Sequence, residues 1–136
     1  MGVSTDAILV FGINLGEDGD ELYDQYREAI GEENDFEEFI VFQANLDHSD
    51  PDYFEKREAV LKNCPMDITV HCCDNEPMVI LGLRGTETTA WRGDVKIINP
   101  EDLVIPEQKI QAAYDWCVKH KLPWEEPKWL LVSWWG

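Results

Sequence analysis

The chain has 136 residues, 44% hydrophobic and 11% aromatic, and its 28 Asp and Glu outnumber 11 Lys and Arg to give a formal net charge of −17. That much apolar material suits one globular domain over residues 1–136 with a real core, and excludes a disordered chain or a disulfide mini-protein. No stretch approaches the ~20 apolar residues that cross a bilayer, and so anionic a chain is repelled by anionic lipid and by nucleic acid. Direct binding to membranes, DNA or RNA is therefore not expected.

The acidity is regional. Sixteen Asp and Glu between Glu17 and Glu58 meet only Arg27, Lys56 and Arg57, so thirteen of the seventeen net charges lie there. Carboxylates packed that densely repel one another and weaken the compact state, a cost that an interaction would explain.

In chain order, residues 6–13 (DAILVFGI) form a short apolar run bounded by glycine-rich turns, the pattern of an inner strand. From Asp20, Leu22, Tyr26, Ala29 and Ile30 fall at helical spacing while Asp20, Asp24 and Glu28 line another face, predicting an amphipathic helix that ends near Gly31. Glu32 and Glu33 at its far end oppose the helix dipole. Residues 35–43 (DFEEFIVFQ) fit a short strand or a helix, and the helix is favoured. Ser49 or Asp50 then caps a helix with Pro51 in its first turn, Phe54, Arg57, Val60 and Leu61 on one face, and an end by Asn63 before Pro65.

Beyond Cys64 the pattern turns to β. Residues 67–73 and 78–83, separated by Asp74-Asn75-Glu76-Pro77, read as an antiparallel hairpin, and 86–91 adds a strand. After a turn at 99–102, Pro106 opens a helix that buries Ile110, Ala113, Tyr114, Cys117 and Val118. The ending WLLVSWW reads as a terminal strand or a buried aromatic plug, its tryptophans as core, and Trp91 as exposed. The expected class is α+β: a small, mostly antiparallel sheet packed with three to four helices, its N-terminal half acidic and helical, and the acidic segment 17–58 integral to the single domain.

Chemistry-bearing motifs are sparse. Of the four cysteines, Cys64, Cys72, Cys73 and Cys117, the adjacent pair would point to opposite faces of a strand, and the start of the chain resembles a strand more than an export signal, so reduced structural thiols are expected. His71-Cys72-Cys73 lacks the spacing of a zinc site. Asp18-Asp20 and Asp50-Asp52 supply paired acids without the continuation of a calcium loop. His48, His71 and His120 accompany no nucleophile motif, and Gly82-Leu83-Arg84-Gly85 lacks the lysine of a phosphate-binding loop. A non-enzymatic protein with no cofactor or metal is expected; a divalent-metal enzyme using Asp18, Asp20, Asp50 and Asp52 is the contrasting class.

Four stretches carry a resemblance: Val3-Ser4-Thr5-Asp6-Ala7-Ile8-Leu9, Arg84-Gly85-Thr86-Glu87-Thr88, Trp116-Cys117, and the ending from Lys128 to Gly136. They resemble a group of small tailed-phage proteins, most without an assigned function. The acidic third matches this group least. The chain is also similar to phage-encoded inhibitors of bacterial DNA gyrase that imitate DNA. The resemblance implies phage origin, the cytoplasm of an infected bacterium, and a basic DNA-handling host protein as partner, gyrase above all; it transfers no catalytic residues.

Charge supports the same idea independently. Duplex DNA carries one charge per ~1.7 Å of axis, so about a dozen carboxylates imitate roughly six base pairs. The residues expected to stand for phosphates are Asp18, Asp20, Asp24, Glu28, Glu32, Glu33, Asp35, Glu37, Glu38, Asp47, Asp50 and Asp52. Tyr23, Tyr26, Tyr53 and Phe54 would be apolar anchors, although helical spacing also suits core positions. Inhibition of a defence nuclease or a transcription factor is the alternative within this class, the bland reading is a solvated acidic face, and a homodimer is left open.

Overall fold

The computed structural model describes residues 5–16, 36–73 and 77–135. They fall into two compact units, one made of Met1–Gly19 with Pro65–Gly136 and the other of Asp20–Cys64.

The first unit is built on a mixed sheet of five strands. These are β1 (Thr5–Gly16), β2 (Met66–Cys73), β3 (Pro77–Leu83), β4 (Thr88–Ala90) and β5 (Lys128–Trp135). The order is β3-β2-β5-β1-β4, and β3 also pairs with β1, so four strands close into a ring. Closure removes sheet edges that would otherwise expose unpaired backbone. The β2–β3 hairpin runs antiparallel from Met66↔Leu83 to Cys72↔Pro77. β1 pairs with β5 along Thr5–Gly12 and, on its other side, with β4 and then β3. The ring is completed by a short parallel contact, Cys72↔Trp134 and Cys73↔Trp135.

Alternation sets the core. Asp6, Ile8 and Val10 are buried along one face of β1, and around Phe11, Gly12 and Ile13 both faces are covered. Val79, Ile80, Leu81 and Met66 are almost wholly shielded. The β1–β3 approach depends on glycine: a Cβ at Gly12 would lie 2.6 Å from the Leu81 carbonyl oxygen and 2.7 Å from Gly82 Cα. Thr86 locks the corner between β3 and β4, its hydroxyl donating to the Leu83 carbonyl at 2.7 Å and accepting from the Phe11 N–H at 3.2 Å.

The second unit contains α1 (Phe36–Ala44) and α2 (Tyr53–Asn63). Glu37 and Glu38 in the first turn of α1 complement the helix dipole, and Asn45, with φ of 51°, ends it in the left-handed conformation that asparagine tolerates. α2 begins after Asp52, two or three residues later than Ser49 or Asp50 would have capped it, and the Tyr53 N–H donates to the Asp50 carbonyl in the preceding turn. Ile40 and Val41 of α1 are buried, whereas α2 buries no residue.

The third α-helix, α3 (Glu107–Lys119), belongs to the sheet unit and follows a 3-10 turn at Pro100–Leu103. Only Ala113 and Cys117 of its expected face are buried; Tyr114 and Val118 are exposed.

These elements correct the expected fold class. The described residues form a sheet-dominated fold, a five-stranded mixed sheet with about three helices, and not a sheet packed with three to four helices. Among the described residues only α3 shares a compact unit with the strands, and the N-terminal half carries β1, the strand that residues 6–13 predict, as well as helices. Apolar spacing in 36–61 signals helix correctly. The expected helix over residues 20–31 lies outside the described residues.

Candidate functional site

Charge divides as the fold does. Asp20–Cys64 holds fourteen Asp and Glu against four Lys and Arg, whereas the sheet unit, twice as long, holds fourteen against seven. The acidic unit is therefore the natural place to look for a surface with a purpose.

Of the twelve acids expected to stand for phosphates, Asp18, Asp20, Asp24, Glu28, Glu32, Glu33 and Asp35 lie outside the described residues. Of the remaining five, Glu37 and Glu38 sit on α1, and Asp47, Asp50 and Asp52 on the turn that leads into α2. Glu37, Asp47 and Asp52 are exposed, while Glu38 and Asp50 are partly covered. Two of the five are neutralised locally, since Glu38 accepts a hydrogen bond from Arg57 Nη2 at 2.7 Å and Asp50 pairs with Lys56. These pairs hold α1, α2 and their connecting turn together and reduce the number of carboxylates left to face a partner.

The turn fixes its carboxylates by short-range geometry. Asp47 accepts both the N–H and the hydroxyl of Ser49, at 2.9 and 2.7 Å, and Asp50 accepts the Asp52 N–H at 2.9 Å. Hydrogen bonds from Ser49 hold the Asp47 carboxyl below its ordinary range, and Lys56 followed by the Asp52 N–H does the same for Asp50. Both stay ionised into mildly acidic solution, as a phosphate does.

Aromatic exposure is the feature that sequence reasoning underrated. Phe54 is 76% exposed and Phe42 54% exposed. Phe54 meets Tyr53 edge-on, with ring centroids 5.4 Å apart, and Tyr53 stacks on His48 at 4.6 Å. Exposed Asp52, Glu55 and Glu58 are near Phe54 in the chain, together with Lys56, Arg57 and Lys62, so a bare ring sits on a helix of mixed charge within the acidic unit. Glu55 and Glu58 are missing from the expected set because their helix read as core-facing. The available signal was the five charges in its eleven residues, YFEKREAVLKN.

The sheet unit offers a different feature, a cleft of about 300 Å³ between Leu9, Thr88, Trp129 and the segment 97–109. Its polar groups have structural work: Asp102 accepts the Asn99 N–H at 3.0 Å, and Trp129 Nε1 donates to the Leu103 carbonyl at 2.8 Å. No histidine or cysteine lines it. Among the described residues no group of three or more His, Cys, Asp or Glu is placed to hold a metal, and Asp50 and Asp52 of the expected pair are joined to each other through a backbone hydrogen bond.

The terminal aromatics are mixed. Trp129 is half-buried and packs edge-on to Phe11 at 5.4 Å, but Trp135 is 56% exposed, as is Trp91 at 61%. No helix among the described residues is long and apolar enough to cross a membrane. No protein-family model, curated protein or solved structure matches the chain.

Proposed function

We propose that this protein is a phage-encoded inhibitor that acts in the cytoplasm of the infected bacterium by occupying the DNA-binding surface of a host protein, with DNA gyrase the leading target. The observation that carries the reading is the exposed Phe54 within a compact unit that has twice the acid density of the rest of the chain. A cationic DNA groove already selects for phosphate-like charge and gives an acidic ligand both rapid encounter and register. Charge alone confers little affinity at physiological salt, so a desolvated aromatic anchor is the complement that a specific contact needs. Exposed Glu37, Asp47, Asp52, Glu55 and Glu58 would face the groove, and Phe54 would enter an apolar recess in it.

The test is a gyrase supercoiling assay with graded competitor DNA. The expected result is inhibition that excess duplex relieves, and that is lost on combining Glu37→Lys, Asp52→Lys, Glu55→Lys and Glu58→Lys while circular dichroism is unchanged. Inhibition that survives these reversals would overturn the proposal, as would its absence in the unmodified protein.

A further inference from the structure

The join between β2 and β5 departs from regular strand geometry. In a regular strand, neighbouring side chains point to opposite faces, which would separate the sulfurs of Cys72 and Cys73. Here Cys72 adopts φ of 77°, the left-handed region that non-glycine residues rarely enter, and its thiol donates to Cys73 Sγ with the sulfurs 4.0 Å apart. The expectation that the two thiols face apart is thereby corrected. Both are only half-buried, in contrast to Cys64 and Cys117, which are 4% and 0% exposed within the core. The same two residues form the parallel pairs with Trp134 and Trp135 that complete the ring.

We propose that Cys72 and Cys73 are a vicinal dithiol that exchanges reversibly with a low-molecular-weight disulfide such as oxidised glutathione. One thiolate attacks a glutathione sulfur, forming a mixed disulfide and releasing a glutathione thiolate. The second protein thiolate attacks the protein-side sulfur of that mixed disulfide, forming the Cys72 Sγ–Cys73 Sγ bond and releasing the other glutathione thiolate. Two electrons pass from the protein sulfurs to glutathione, and the two thiol protons go to the released thiolates. Little movement is needed, because the sulfurs must close from 4.0 Å to about 2 Å and already share one side of the chain. A disulfide spanning a single peptide bond is strained, and strained disulfides are readily reduced, so the reaction is reversible in a reducing cytosol.

The test incubates the full chain in graded mixtures of oxidised and reduced glutathione, quenches with acid, and reads intact mass and peptide maps. The expected product has lost two hydrogen masses, with the bond mapped between residues 72 and 73, and returns to the dithiol as reduced glutathione rises. Cys72→Gly, which suits the left-handed backbone, should stop at a single glutathione adduct on Cys73. Phenylarsine oxide supplies a measurement independent of variants, and one equivalent should bridge both sulfurs with loss of water. A persistent glutathione adduct on the unmodified chain would overturn the proposal, and so would unreacted thiols or a bond involving Cys64 or Cys117.

Discussion

Replacing Phe54 with alanine separates a surface anchor from a core residue. Fully burying a phenylalanine side chain contributes roughly 2–3 kcal/mol. With 76% of Phe54 exposed, about a quarter of that contribution is engaged in the free protein, or roughly 0.5 kcal/mol. The rest is available on docking, so Phe54→Ala should weaken inhibition by roughly 10- to 50-fold while leaving stability nearly unchanged. Urea unfolding followed by circular dichroism gives the first quantity and titration of supercoiling inhibition the second. A stability loss above about 2 kcal/mol would place Phe54 in a packed interior. Unchanged inhibition would remove it from the contact, and either result refutes the anchor argument.

The sheet unit gives three further expectations. Gly12→Ala forces a methyl against the Leu81 carbonyl and Gly82 Cα, and should lower the unfolding free energy by about 1–3 kcal/mol, measured by denaturant titration. Thr86→Val keeps the shape of the buried side chain but strips the Phe11 N–H of its hydroxyl acceptor, at a cost of about 1–3 kcal/mol in the same assay. Burial holds the His71 imidazole below its ordinary pKa, so the unfolded chain binds that proton more readily than the folded one. The stability contributed by neutral His71 is complete above the unfolded pKa of about 6.5 and is lost as pH falls through that value toward the folded one. His71→Asn should flatten part of the fall in melting temperature between about pH 7 and 5, leaving the same-signed contribution of half-buried His120.

Much of the local structure was legible. The apolar run 6–13, the β2–β3 hairpin, the helix after Pro106 and the terminal strand each announce themselves by period and flanking turn residues, because those signals come from neighbours in sequence. What the residues could not display is long-range: that β1 pairs on both sides, that β2 meets β5 in parallel, and that the ring closes. Phe54, Val60 and Leu61 show why the helices were assigned to the sheet. Their spacing marks a face but does not say whether anything covers it, and α2 has no buried residue. Cys72 shows the complementary limit, since a left-handed residue within a strand breaks the alternation on which side-chain direction is read. At the acidic surface the charges were legible and their internal pairing was not, because Glu38 and Arg57 are brought together only when α1 and α2 pack.

The central claim is that carboxylates held on a compact acidic unit occupy a host site made for DNA. Its most direct measurement is the affinity of the full chain for purified gyrase as a function of salt, with and without duplex DNA bound. The account predicts affinity that falls steeply as salt rises, and loss of binding when DNA already fills the groove. Binding that is insensitive to salt and unaffected by bound DNA would contradict it.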